Sequence, residues 1–144
     1  MMAQSEHTIF YSIEESIKSY RQFAQKQIND RGFDITIDQG LVLSIINENP
    51  GIAQKDIARR AFKDHASVTR IIELLVKRNF LKRDSFEEDR RRFNLILTGE
   101  GKDILNDIQP IVNANRKKAV EGISPEEIEL LRKLVNKITA NCRS

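Results

Sequence analysis

The side chains with the most distinctive chemistry in this chain are arginines with small hydroxyl residues beside them. Ser67, Thr69 and Arg70 form one group, and Asp89, Arg90, Arg91 and Arg92 form a second further along. A guanidinium is a planar fork of donors that fits a phosphate, or the O6/N7 edge of guanine, with two parallel hydrogen bonds. Serine and threonine hydroxyls serve either a base edge or a phosphate. The spacing therefore points to contact with a polyanion, with Lys55 and His65 close by in sequence. Arg70 has two readings of equal weight, a base contact or a phosphate contact. The blander reading of His65 is an exposed residue in a first helical turn. Arg90, Arg91 and Arg92 follow Glu87, Glu88 and Asp89 and can pair with them, but exposed pairs are typically worth about 0–1 kcal/mol. That is too little to keep an arginine out of a groove of high negative potential.

Other chemistries find little support. His7 and His65 are the only histidines, and neither has a second ligand at helical spacing, so no metal site and no cofactor is expected. Cys142 is the only cysteine, which excludes an intrachain disulfide and suits a reducing compartment. Gly99-Glu100-Gly101-Lys102 lacks the glycine spacing of a phosphate loop, and Asp103 follows the lysine. There is no H-E-x-x-H, G-x-S-x-G or C-x-x-C, so an enzyme is not expected.

The elements that position the arginines come from periodicity. Ile57, Ala58 and Ala61 share one face of a short helix, and Val68, Ile71, Ile72 and Leu75 follow the i, i+3, i+4, i+7 pattern of a second. Asp64 stands as N-cap of that second helix, and Asn79 fits the left-handed residue that follows a helix end. Residues 81–84 and 91–97 read as two strands around a charged loop at 85–90, with Phe93, Leu95 and Leu97 on one face. Helix, turn, helix and basic hairpin make a winged helix-turn-helix, whose second helix lies in a DNA major groove.

On either side, Ile9, Ile13, Ile17, Tyr20 and Phe23 mark a long amphipathic helix over residues 8–27, ended by Asn29-Asp30-Arg31-Gly32. Thr36 and Gln39 form a capping box for a helix whose core face is Leu41, Val42, Ile45 and Ile46. Ile52 is placed in a very short strand beside the wing. Thr98 caps a fifth helix carrying Ile104, Leu105, Ile108, Ile111 and Val112, with Pro110 expected to kink it. Ser124-Pro125-Glu126-Glu127 opens a last helix expected to bury Ile128, Leu131, Leu134, Val135 and Ile138. The terminal helices have more apolar face than a small reader needs. They either fold back on their own reader or, the preferred reading, cover a second copy in a two-fold dimer.

With 144 residues, 40% hydrophobic and 31% charged, the chain has the composition of a globular protein and suffices for a core without staples. Six glycines and three prolines favour a mostly helical fold. The net charge is +3, yet residues 52–92 hold 12 Lys/Arg against 7 Asp/Glu, a local +5 that leaves the remainder at −2. Only one face is then suited to a polyanion. No apolar run is long enough to span a membrane, and MMAQSEHTIF lacks a secretory pattern, so a cytoplasmic location is expected.

Gln54-Lys55-Asp56-Ile57-Ala58, Ser67-Val68-Thr69-Arg70, Asp89-Arg90-Arg91 and Leu97-Thr98-Gly99-Glu100-Gly101 together resemble the MarR family of bacterial transcription regulators. The D-x-R wing followed by L-T-x-x-G is the more specific part, and the likeness runs from about Ile9 to Ile138. It implies a homodimer joined through its terminal helices that binds a short palindrome and usually represses. By the same resemblance Arg91 enters the minor groove and Asp89 orients the wing arginines. A small, often aromatic or phenolic, effector would sit between the dimer helices and the reader, where Tyr11, Tyr20 and Phe23 are the aromatic candidates. The chain departs from the family in three places. Phe62-Lys63 fills a turn that often holds glycine. Ala53 replaces a Ser/Thr cap, at about 1 kcal/mol. Arg92 stands where a small residue is frequent.

The fold class expected is thus mostly α with a small β-wing, as one MarR-like domain over 1–144. The reader spans about 36–98, and the dimerisation helices about 8–29 and 98–141. The expected partners are double-stranded DNA, a second copy and a small aromatic effector. The DNA-contacting set is Lys55, His65, Ser67, Thr69, Arg70, Asp89, Arg90, Arg91 and Arg92. The rival reading is a winged helix used as a protein-interaction module without DNA binding.

Overall fold

The computed structural model describes residues 7–86 and 89–144, and for residues 85, 86 and 89–93 it describes backbone alone. Among the described residues the order is α1 (Ile9–Asp30), α2 (Ile37–Glu48), α3 (Gln54–Ala61), α4 (His65–Lys77), β1 (Leu81–Phe86), β2 (Asp89–Leu97), α5 (Gly99–Ala119) and α6 (Pro125–Arg143). This is the mostly helical winged helix-turn-helix that the periodicity requires.

Helix α1 starts at Thr8, whose Oγ1 accepts from the Tyr11 amide. It ends where Gly32 takes φ +86°, a left-handed backbone that favours glycine. Only its second half meets the core, through Ala24 and Ile28, while Ile9 and Phe10 stand about 60% exposed. Gln25 ties α1 to the start of α2, donating to the Ile35 carbonyl and accepting from the Ile37 amide. The capping box at Thr36 and Gln39 is formed in both directions.

Helix α2 is the centre of the core, with α1, α3, α4, α5 and β2 all packed on it. Its buried residues are Val42, Leu43, Ile45 and Ile46. The expectation for Leu41 is corrected: it is 39% exposed, and Leu43 is buried in its place. A helix covered on several sides buries a wider arc than a surface helix does, which draws in Leu43. Leu41 falls at the edge of that arc and faces a cavity described below. Ile52 is likewise not a strand residue. Its amide donates to the Asn49 carbonyl in a turn, and its side chain packs half-buried on the core.

The wing strands pair antiparallel, Leu81 opposite Leu97, Arg83 opposite Leu95 and Ser85 opposite Phe93. A shift between Ser85 and Phe86 sets Phe86 opposite Asp89, so Ser85, Phe86 and Asp89 of the expected loop at 85–90 are paired strand. Leu81 and Leu97 are buried and Leu95 packs against the core, which fixes the base of the hairpin. Glu87 and Glu88, and the pairing expected between the loop acids and the wing arginines, lie outside the described residues.

Helix α5 begins hard against the end of α4. The Thr98 hydroxyl donates to the Asn79 carbonyl and accepts from the Gly101 amide, at 2.6 and 3.0 Å. Gly101 leaves no room for a side chain there, since a Cβ would stand 2.1 Å from the Phe80 carbonyl oxygen. Helix α5 continues through Pro110 and gives the core Ile108 and Ile111. Helix α6 has a complete capping box at Ser124 and Glu127. None of Ile128, Leu131, Leu134, Val135 and Ile138 is buried, contrary to expectation, and Leu130, Leu131 and Leu134 are each more than half exposed. Among the described residues helix α6 has no extensive packing on another element of its own chain, and its apolar stripe stays half-buried to exposed in this protomer.

Candidate nucleic-acid interface

Helices α3 and α4 are set by two local devices. The turn between them places Phe62 in the left-handed region, φ 56° and ψ 43°, without the glycine that conformation favours. Its ring is 89% exposed. The Lys63 amide then bonds back to the Ala58 carbonyl, closing the end of α3. Asp64 Oδ1 accepts from the Ser67 amide at 2.7 Å and caps α4. Those bonds hold the Asp64 carboxyl below its usual range, the backbone donor of Ser67 being the main cause. Ala53, by contrast, gives α3 no side-chain cap.

Val68, Ile72 and Leu75 point into the core and fix the rotation of α4. The opposite face is therefore Ala66, Arg70, Glu73 and Lys77, all exposed. Ser67 and Thr69 sit on its two flanks, half-buried. The Thr69 hydroxyl is already engaged: it donates to the His65 carbonyl at 2.9 Å and accepts from Gln54 Nε2. Gln54 Nε2 also lies 3.3 Å from His65 Nε2. Gln54, at the first position of α3, thus laces the two helices together along the side that carries His65 and Thr69.

The cations of this module fall into two sets. Arg59 reaches Asp56, Arg60 reaches Asn49, Lys63 reaches Asp38 at 3.0 Å, and Arg78 lies near Asp34 with its guanidinium 4.9 Å from the Phe80 ring centre. Lys55, Arg70, Lys77, Lys82 and Arg83 have no such partner among the described residues and are exposed. Arg70 is thus free, central and outward. Of the other expected residues, Asp89, Arg90, Arg91 and Arg92 fall on β2, toward the free end of the hairpin, with side chains outside the described part.

A second site lies behind the reader. A cavity of about 430 Å³ opens among α1, α2 and α5, walled by Tyr20, Arg21, Leu41, Gln109, Asn115 and Arg116 along with aliphatic side chains. This is the junction expected for an effector, but only one of the three aromatic candidates lines it. Tyr20 does so, sharing a helical stripe with Ile17, Ala24 and Ile28. Tyr11 is nine residues earlier, half a turn round the helix, and is exposed; Phe23 is off the stripe as well. Asn115 is 4% exposed and its Nδ2 has no hydrogen-bond partner among the described residues. A buried donor left unmade is costly, and the sequence marked neither it nor Arg116. Arg21 at the cavity wall donates to Asp38 at 2.7 Å, and Asp38 also holds Lys63 of the helix-turn-helix turn. Burial raises the Asp38 carboxyl, but the hydrogen bonds from Arg21 and Lys63 outweigh it and the net shift is downward.

Sequence reading also passed over Gln54, which engages Thr69, and Ala66, which lies on the outward face of α4. Ala66 carries no functional group, and its one signal is position, a single turn before Arg70.

Residues 33–92 match the model of the MarR family. Over 135 residues the chain is 29% identical to the HTH-type transcriptional regulator SarZ of Staphylococcus epidermidis, covering 92% of this chain and 86% of that one. Its fold is similar to the S. aureus MepR–DNA complex, with a TM-score of 0.82 at 24% identity over 95% and 98% of the two chains. It is also similar to Bordetella bronchiseptica BpsR, from a structure described as a mechanism for regulation of DNA binding by 6-hydroxynicotinic acid. There the TM-score is 0.83 at 21% identity over 93% and 94%. No helix among the described residues is long and apolar enough to cross a membrane.

Proposed function

We propose that the chain is a winged-helix transcriptional regulator of the MarR family, which the match over residues 33–92 and the 29% identity to SarZ support, and that it acts as a homodimeric repressor on a palindromic operator. In this reading residues 36–98 are the reader and residues 8–29 and 98–141 build the dimer, all within one domain. The protein works in the cytoplasm and catalyses no reaction. Two readers related by a two-fold axis match a two-fold DNA site. The observation that carries the proposal is the outward face of α4, where Arg70 stands unpaired among the described residues on a helix locked from behind by Val68, Ile72 and Leu75. The MepR complex supports it through a shared fold with DNA bound to that protein.

The wing adds the second contact. With α4 in the major groove, a hairpin on its flank lies beside the minor groove, where an arginine needs no base-specific partner. Arg91 fills this role. The Arg91→Ala protein should bind all duplexes more weakly and lose about one unit of salt slope per protomer. A mobility shift with selected and scrambled duplexes at several salt concentrations tests both points. Unchanged affinity and slope in a folded Arg91→Ala protein removes the wing from the mechanism.

The effector would occupy the cavity among α1, α2 and α5. Tyr20 offers an aromatic wall, and Asn115, Arg21 and Arg116 offer donors for an acid group. Regulation of the DNA binding of BpsR by 6-hydroxynicotinic acid favours this class of ligand. Aromatic acids and phenols should raise the melting temperature and lower DNA affinity; a screen in which none does either rejects the effector.

One observation favours the rival, a protein-interaction module: Phe62 is almost fully exposed beside the recognition helix, and Leu74 on that helix is 42% exposed. Two separate side chains fall short of the contiguous apolar patch such a surface needs. No binding to any duplex at low salt would turn the assignment to that reading.

A further inference from the structure

We infer that Ala66 is a base-reading residue, that it recognises the C5-methyl of a thymine, and that Arg70 reads a guanine within about two base steps of it. The inference rests on the DNA-binding reading above and goes beyond it in naming what is read and by which pair.

Burial fixes the rotation of α4. Val68, Ile72 and Leu75 are 0–1% exposed, so the helix cannot turn about its axis without pulling them from the core. The direction opposite them is fixed by the 100° step per residue and falls on Ala66, Arg70 and Lys77, with Glu73 beside them. Ser67 and Thr69 lie on the flanks, and the Thr69 hydroxyl has spent its proton on the His65 carbonyl and accepts from Gln54. The flank residues therefore have less left to give a base than the central ones. Within the central line, the first two turns are the part of a recognition helix that reaches base edges. Ala66 is the second residue of α4 and Arg70 the sixth.

Their chemistries then select their partners. Ala66 presents one methyl group and no polar atom. Its small size lets the backbone come close to the groove floor, where the thymine methyl is the apolar feature available. Arg70 presents five donors with none engaged among the described residues, while its neighbours Arg59, Arg60, Lys63 and Arg78 are held by protein groups. A free guanidinium at the centre of the face, where phosphates lie to either side, meets the O6 and N7 of guanine with both arms of its fork. Four residues of α-helix rise about 6 Å. Against a base step of about 3.4 Å, the two contacts fall about two base pairs apart.

The test uses the full chain and a duplex site obtained by selection from random DNA. Each thymidine in the site is replaced in turn by deoxyuridine, which removes only the C5-methyl, and each guanine by 7-deazaguanine, which removes only the N7 acceptor. The wild-type protein should lose about fourfold in affinity at one thymidine, the worth of one buried methyl group. It should lose roughly fivefold or more at one guanine about two steps away. The Ala66→Gly protein should bind thymidine and deoxyuridine equally at that position, and Arg70→Ala should become blind to the deaza substitution. Each comparison is a ratio on one protein, so any general weakening of α4 by glycine cancels. The inference is overturned if the wild type shows no such thymidine and guanine pair, or if the variants keep the same ratios. Those results leave DNA binding intact. A failure to select any duplex sequence instead overturns the functional reading, and this inference with it.

Discussion

Helices α4 and α6 have the same kind of sequence and opposite fates. Both carry an apolar stripe at helical spacing, and both start at a side-chain cap, Asp64 for one and the Ser124 box for the other. In α4 the stripe is almost wholly removed from water: Val68, Ile72 and Leu75 are at most 1% exposed. In α6 Leu130, Leu131 and Leu134 are each over half exposed, and no residue of the helix is buried. Amphipathicity reports that a face is to be covered but not what covers it. For α4 the cover is α2, α3 and β1 of the same chain. For α6, and for the outer half of α1 with Ile9, Phe10 and Ile17, the proposed cover is a second copy.

The largest expected effects separate these two cases. Ile72→Ala should cost about 2–5 kcal/mol, with a melting temperature that does not depend on protein concentration beyond the dependence of the wild type. A Leu131→Ala/Leu134→Ala double variant should instead make melting strongly concentration-dependent and shift the sedimentation profile toward monomer. If that double variant melts like the wild type at all concentrations and keeps its mass, the stripe on α6 is not an interface.

Next comes the joint between the two regions. Gly101→Ala forces a Cβ onto the Phe80 carbonyl oxygen, so denaturant unfolding should show a loss of about 1–3 kcal/mol, the usual range for overpacking against a rigid neighbour. An unchanged midpoint would mean that α5 moves freely against the reader.

A smaller effect, of opposite sign, is expected in the turn of the reader. Phe62 holds a left-handed backbone that costs a non-glycine residue about 1–2 kcal/mol, and its ring is 89% exposed. Phe62→Gly relieves the backbone and gives back part of the gain through the freer unfolded chain. The net should be a stabilisation of up to about 1 kcal/mol, read from the same denaturant curves. A destabilised Phe62→Gly protein would show that the ring has a partner.

The smallest effect concerns Asp38, which joins Arg21 of α1 to Lys63 of the reader. Its carboxyl is lowered in the folded protein, so its contribution is complete above the ordinary value of 3.8 and is lost as pH falls through the lower folded value. Asp38→Asn should therefore be slightly less stable than wild type at neutral pH, and the two should converge in acid below pH 3.8. A gap that persists in acid would assign the loss to packing and not to charge.

Much of the fold was legible in the chain because the signals were local. The Thr36 and Ser124 capping boxes, the Asp64 and Thr98 caps, the stop at Gly32 and the left-handed Asn79 each depend on a few neighbouring residues, and each is formed. Ile52 misled for the same reason: an isolated apolar residue carries no period, and a turn bond to Asn49 takes its amide. Of the candidate sites, Arg70 was legible from its place relative to Val68 and Ile72. Thr69 was not, because the group that engages its hydroxyl, Gln54, comes from another helix.

The amino-acid sequence by itself determined the helices, their caps, the wing and the basic character of one module, since hydrophobic period, capping and charge act over a turn or two of chain. Tertiary structure decided which of the equivalent-looking stripes is spent inside the protomer. It exchanged Leu41 for Leu43 on the central helix and brought Tyr20, Asn115 and Arg116 to one cavity while leaving Tyr11 and Phe23 outside it. Those outcomes depend on which face of one helix meets which face of another. That is a sum over contacts far apart in sequence, and no local pattern encodes it.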